Sequence, residues 1–458
     1  MQPYTTDTLL LFINLPIMKH LKYFAAIFGL LAFVSCHEKD ELSLDNAPEK
    51  AKNSNTLTIK KANAYVSLFS DYLGEKPGTK SEVQREVDYI DVLVERGDTL
   101  MYAFNYKNDA GYILLGAADT YFPILSHNSS GHLKFNEISI ESPLYSVIQS
   151  FKGIIRDAKA TPDYDSEYYE RWKDLGDSDY TYEVIPCETP EFITDTKGRR
   201  TYSSGKKNIY PQTGMELKYW TQEGGYNYYA ENKACIGCPA ISIGMLLYDM
   251  NSRALGNPTI TYPSFGYYYD AYNIKDRTDG TETARKLRMI ADIIPHYDWG
   301  NTKDATSTAT LEDIVEGLHR LGFTQAQAVN YNFETLYRNF TFKGINYFGN
   351  EQNFERGVLL LAQDYYSNNG HIWFCDGYYE QAYEVVKRGI FGIVLKRWNE
   401  YEDKIYMNWG GGENGGNGWY TASDTFWVSD EVSFAYKRNA KIITNLSHYE
   451  YPYDLIDM

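Results

Sequence analysis

The chain has 458 residues, 43% of them hydrophobic and 16% aromatic, with a formal net charge of −17. That is more apolar material than one core usually organises, so two folded parts are expected. The acidic balance argues against nucleic acid, and against an anionic membrane surface, because phosphate binding requires clustered Lys and Arg.

The first readable signal begins at Met18. Met18-Lys19-His20-Leu21-Lys22 is basic, Tyr23 to Val34 is apolar, and Ser35-Cys36 closes the segment. A charged opening, a short apolar core and a small residue before cysteine resemble a bacterial lipoprotein signal, with Met18 as the true start of a signal region over residues 1–36. The apolar run is too short for a permanent span, so a cleaved signal is favoured over a membrane anchor. The resemblance implies a lipid on Cys36 as the membrane attachment of an exported cell-envelope protein, at the outer membrane or cell surface, with the mature catalytic part either retained or released. The acidic cluster Glu38-Lys39-Asp40-Glu41 is like those of surface-displayed lipoproteins, and residues 37–56 read as a flexible polar tether. The other four of the five cysteines do not form a disulfide framework for so large a chain.

A first globular part is expected over residues 57–193. Ala62 to Phe69 suits a helix, and Tyr89 to Val94 with Leu100 to Tyr106 flank Arg96-Gly97-Asp98 as a hairpin. The Arg-Gly-Asp triplet is read as that turn in preference to an integrin ligand. Strands at Gly111 to Asp119, Pro123 to Ser126 and Gly131 to Leu133 complete a small α+β domain. Thr194 to Lys207 is basic, contains Gly and Ser, and lacks apolar periodicity, as an exposed linker would. Residues 208–458 make the second part, with helices expected near Thr281 to Ile294 and Leu311 to Leu321.

The chemistry-bearing residues all lie in that second part. In Ala234-Cys235-Ile236-Gly237-Cys238-Pro239-Ala240, Gly237 permits a tight turn and Pro239 suits the first helical position, which makes Cys238 the expected N-cap of a helix. Unpaired amides and the positive helix end there favour the thiolate. His371 opens an aromatic-rich strand bracketed by Gly370 and Gly377, and Asn408 stands where a second strand breaks into the glycine-rich turn Trp409-Gly410-Gly411-Gly412. In chain order these suit a nucleophile, a general base and a base-orienter, the arrangement of papain-type proteases.

Trp220-Thr221-Gln222, Gly237-Cys238 opening a helix, Gly370-His371 followed by Asp376-Gly377-Tyr378, and Asn408-Trp409-Gly410 together resemble the streptopain family of cysteine peptidases. The match runs from about Tyr210 to the end. It implies a papain-like two-lobed α+β fold, a helical lobe plus an antiparallel β lobe, preceded by an inhibitory propeptide over 57–193. It also implies a cysteine endopeptidase, made as a zymogen, that cleaves protein or peptide substrates without a cofactor or metal. Gln222 would donate to the oxyanion hole beside the Cys238 amide, with an apolar residue preferred second from the cleaved bond. Asn408 would orient His371, sharing or ceding that task to Trp409. Pro239 and Cys235 depart from the family's pattern around the nucleophile.

Cys235 and Cys238 also form a CxxC. A zinc site would need a second ligand pair, which the other cysteines do not supply. A thioredoxin-like redox centre would leave His371, Asn408 and Gln222 without a role, yet a Cys235–Cys238 bridge that silences the enzyme on oxidation remains open. Two further readings remain: an inactive surface lipoprotein that binds protein or glycan, and a papain-fold acyltransferase.

Overall fold

The computed structural model describes residues 56–72, 85–121, 124–138, 142–187, 217–253, 274–303, 305–345, 351–363, 370–413, 415–421 and 438–446. The signal region with Cys36, nearly all of the tether and the linker at 194–207 lie outside them. Residues 51–458 form one compact unit of mixed helix and antiparallel sheet, in keeping with the α+β expectation. Among the described residues no helix is long and apolar enough to cross a membrane.

Helix α1 spans Ile59–Phe69, starting where the Thr58 hydroxyl accepts the Lys61 amide. Strands β1 (Val87–Glu95) and β2 (Asp98–Tyr106) pair across Arg96 and Gly97, whose φ of 53° and 81° make the two-residue turn that suits a twisted hairpin. The Arg-Gly-Asp triplet is thus at this turn. Strands β3 (Tyr112–Gly116) and β4 (Ile124–Asn128) extend the sheet, α2 (Pro143–Ala160) packs on it, and α3 (Glu167–Trp172) leads to β5 (Thr181–Pro186).

The second part opens with α4 (Cys238–Arg253), α5 (Glu282–Ile293, capped by Thr281) and α6 (Leu311–Arg320, capped by Thr310), the last two within a residue of their expected bounds. Then come β6 (Gln327–Asn330), α7 (Phe333–Asn339), the hairpin β7 (Thr341–Ile345) with β8 (Glu351–Glu355), β9 (Val358–Gln363), β10 (Gly370–Arg388), β11 (Val394–Asn408), β12 (Gly418–Thr421) and β13 (Arg438–Thr444).

Strand β10 is far longer than the segment bracketed by Gly370 and Gly377. Its pairing with β11 shifts register between Cys375 and Gly377 and then continues to Arg388. The extension persists because β5 pairs with it over Tyr383–Arg388 and buries Tyr383, Val385 and Val386. The strand order is β1-β2-β3-β4-β12-β11-β10-β9-β13-β6, so the two expected parts share one sheet, joined where Trp419 and Tyr420 of β12 face His127 and Ser126 of β4.

The central strands are buried on both faces, which explains their nearly unbroken apolar sequence. On β9 and β10, Leu359, Leu361, Ile372 and Phe374 face the core containing α4, α5 and α6. Leu360, Trp373 and Cys375 face the core containing α2. The β4–β12 seam is tight: a Cβ on Gly418 would sit 2.7 Å from the His127 carbonyl oxygen. Gly418→Val should therefore lower unfolding free energy by about 1–3 kcal/mol in a denaturant titration despite valine's preference for strands. A neutral or stabilising result would mean the seam is looser than this.

Candidate active site

Helix α4 begins at Cys238, and the Gly237 carbonyl accepts the Ile241 amide, which makes Gly237 the N-cap and moves Cys238 one position into the helix. Gly237 has φ of 90°, and a Cβ there would meet the Ser307 carbonyl and the Tyr297 hydroxyl at 2.4 Å. The turn before the helix is fixed by four further bonds. Cys235 N–H donates to Ala305 O, Ser307 Oγ donates to Cys235 O, Ile236 N–H donates to Gln222 O, and Tyr297 Oη donates to Ile236 O. Tyr297 Oη also accepts an N–H from Ala240, in the first turn of α4, so a phenol supplies part of the helix cap.

Cys238 is 7% exposed, and its sulfur receives the backbone N–H of Ile372 on β10. Ser242, one turn further along α4, donates from Oγ to the carbonyl of the same Ile372 at 3.0 Å. The helix thus holds one strand residue by both of its peptide groups. Burial pushes the Cys238 thiol up to about 11, and the two backbone N–H groups that reach it pull the other way without prevailing. Desolvation thus outweighs the helix-end amides and favours the thiol, against the thiolate expected from the helix end.

His371 precedes Ile372 and projects from the opposite face of β10. Its ring stacks on Trp373 at 6.1 Å and 12° and lies 6.4 Å from Trp409, and the imidazole donates to the Trp409 carbonyl. Its Nε2 is buried, and desolvation pulls the imidazole down to about 4, so the ring is neutral at physiological pH. Cys238 and His371 thus both adjoin Ile372, the thiol through its backbone N–H and the imidazole as its neighbour on β10.

Asn408 does not hold the imidazole through its side chain. Its Nδ2 donates to Leu217 O at 2.9 Å and its Oδ1 accepts the Gly410 amide at 3.1 Å. It closes the glycine-rich turn onto Leu217, and the residue that orients His371 is Trp409, by its carbonyl and its ring. Asn417 assists by accepting the Trp409 amide at 2.9 Å, and Gly412 N–H donates to Trp220 O at 2.8 Å.

Gln222 is half-buried, and its carboxamide makes no hydrogen bond among the described residues. It lines a groove of about 350 Å³ together with Cys235 and Gly411, and Leu133, Glu137 and Leu144 of the first part form the facing wall. Cys235 and Cys238 are both free thiols; Cys235 donates toward Glu223 at 3.8 Å while Cys238 turns to Ile372. A bridge between them would require the pinned 235–237 backbone to move. Ser242, Tyr297, Ser307 and Asn417 were not foreseen. Only Ser242 had a readable signal, since it follows Cys238 by four residues on one helix face.

No family model and no curated protein matches this chain.

The half-buried His371, with its Nε2 shielded from solvent, makes stability pH-dependent. Above its ordinary value of 6.5 neither state binds the proton, whereas below it the unfolded chain takes up a proton that the folded chain accepts only near pH 4. Stability should therefore fall as pH drops from about 6.5 toward 4, by on the order of 3 kcal/mol from this residue. Denaturant titrations of wild type and His371→Gln across that window should diverge in slope; parallel curves would mean the ring is not buried neutral.

Proposed function

We propose that the chain is a papain-like, two-lobed cysteine endopeptidase of the streptopain kind, exported as a lipoprotein through Cys36 and held latent by residues 57–193. The observation that carries this reading is the grip of Cys238, at the start of α4, on the residue next to His371. Two segments that are 133 residues apart in sequence thereby meet, and the Gln222 backbone carbonyl accepts the Ile236 amide in the turn just before Cys238.

In the active state Cys238 loses its proton to His371 and the thiolate attacks a peptide carbonyl. The Gln222 carboxamide and the Cys238 amide, which is free of intrahelical bonding at the first turn, receive the oxyanion. His371 then protonates the leaving amine, activates water against the thioester and is kept in orientation by the Trp409 carbonyl. Protein or peptide chains are the substrates, and the chemistry calls for no cofactor.

Latency follows from the same geometry. Phe151 of α2 stacks on Tyr420, Tyr420 meets Trp409 edge-on, and Trp409 packs on His371, so an unbroken aromatic series runs from the first part to the base. Releasing residues 57–193 by cleavage within Thr194 to Lys207 removes Phe151 and the groove wall, freeing the imidazole to reach the sulfur. A second reading, a surface lipoprotein that keeps the fold without catalysis, draws on the burial that holds the thiol and the imidazole uncharged; labelling of Cys238 by E-64 after linker cleavage would exclude it.

Casein hydrolysis should be weak in the intact chain and rise after cleavage within 194–207. In the cleaved protein Cys238→Ala and His371→Ala should fall to background, and Gln222→Ala should drop on the order of a hundredfold while retaining a remnant. Unchanged turnover in Cys238→Ala would end the protease reading.

A further inference from the structure

The turn between β10 and β11 reads Gly389-Ile390-Phe391-Gly392-Ile393-Val394-Leu395, without a polar side chain, and Lys387, Arg388, Lys396 and Arg397 flank it on both strands. Every one of its five apolar side chains is exposed, Phe391 at 96% and Ile393 at 62%. The tip is nevertheless ordered: Gly389 N–H donates to Ile393 O at 2.9 Å and Gly392 N–H donates to Gly389 O at 3.0 Å. Phe391 has φ of 63°, a left-handed conformation that is unfavourable for an aromatic residue and here projects its ring into solvent.

We propose that this hairpin tip is a membrane-docking element that inserts its apolar side chains among the acyl chains of an anionic lipid surface, with the flanking cations at the headgroups. Three physical features favour lipid over a protein partner. The tip is narrow and convex with apolar groups on both faces, a shape that a bilayer accepts all round, whereas a protein interface needs about 800 Å² of complementary surface per side. Two of the loop amides already have partners, so those groups enter an apolar medium without losing hydrogen bonds. The collar also matches phosphate. Arg388 and Arg397 pair with the Glu183 and Glu384 carboxylates at 3.0 Å, and Lys396 adds an exposed cation, so three cations outside the core ring the tip, while Lys387 is buried against Asp174. The two arginine pairs are partly exposed, and pairs of that kind are weak and readily exchange a carboxylate for a lipid phosphate. The overall acidity that argued against an anionic surface thus has a local exception.

The test is sedimentation of residues 51–458, the compact unit that contains all the cores described, with phosphatidylcholine vesicles and with vesicles containing added phosphatidylglycerol. Without Cys36 no lipid anchor contributes. Wild type should bind both, more tightly with the anionic lipid, and Phe391→Asn should bind at least tenfold more weakly. Asparagine is at ease at positive φ, so that variant should keep or raise its thermal midpoint and its casein hydrolysis after linker cleavage. Lys396→Glu should remove most of the anionic preference. The proposal is overturned if wild type binds neither vesicle, if Phe391→Asn binds as wild type does, or if wild type ignores vesicles and instead self-associates through the tip. Each of these outcomes leaves the protease reading untouched.

Discussion

The peptide groups of Ile372 are the constraint on which the site depends. Cys238 and Ser242, one helical turn apart, take its N–H and its C=O, and this fixes how α4 lies on β10. Once that strand position is held, alternation along the strand decides the rest: Ile372 faces the helical core, while His371 and Trp373 face the other. Burial then keeps both reacting groups neutral, the thiol because its anion would be desolvated and the imidazole because its cation would be.

The first part is built into this arrangement more deeply than a detachable lid would be. Its strands continue the sheet of the second part through β4 and β12, and β5 covers the far half of β10. Glu400 on β11 accepts the indole N–H of Trp398 at 2.7 Å and of Trp172 at 3.2 Å, with Arg171 at 3.5 Å, so a buried carboxylate is satisfied from both parts. Desolvation pushes this carboxyl up, and its three donors limit the rise. Separating the parts would expose Tyr383, Val385 and Trp398 and leave Glu400 short of partners, which opposes their spontaneous separation.

Much of this was legible in the residues themselves. The helices expected near Thr281 to Ile294 and Leu311 to Leu321 are α5 and α6, Arg96-Gly97 marked its hairpin, and Gly237-Cys238-Pro239 marked the start of α4 to within one residue. What escaped has specific causes. The length of β10 depends on a partner strand, β5, nearly two hundred residues away, and Gly377 looks like a terminus when it marks a bulge. The atom that bonds the His371 ring is a backbone carbonyl, which has no sequence signature, so the residues could only leave the task between Asn408 and Trp409. Tyr297 caps α4 from 59 residues beyond Cys238, a contact that only the tertiary fold brings about.

The central claim is that the intact chain holds Cys238 as a buried thiol that becomes a reactive thiolate only when the first part is released. Site-resolved alkylation by iodoacetamide, followed by mass spectrometry of the Cys238 peptide across pH, reads the thiolate fraction directly. The account predicts slow alkylation of the intact chain at neutral pH with a rate still climbing toward pH 11, and rapid alkylation from mildly acidic pH after cleavage within 194–207. Rapid, pH-independent alkylation of Cys238 in the intact chain near pH 6 would contradict it.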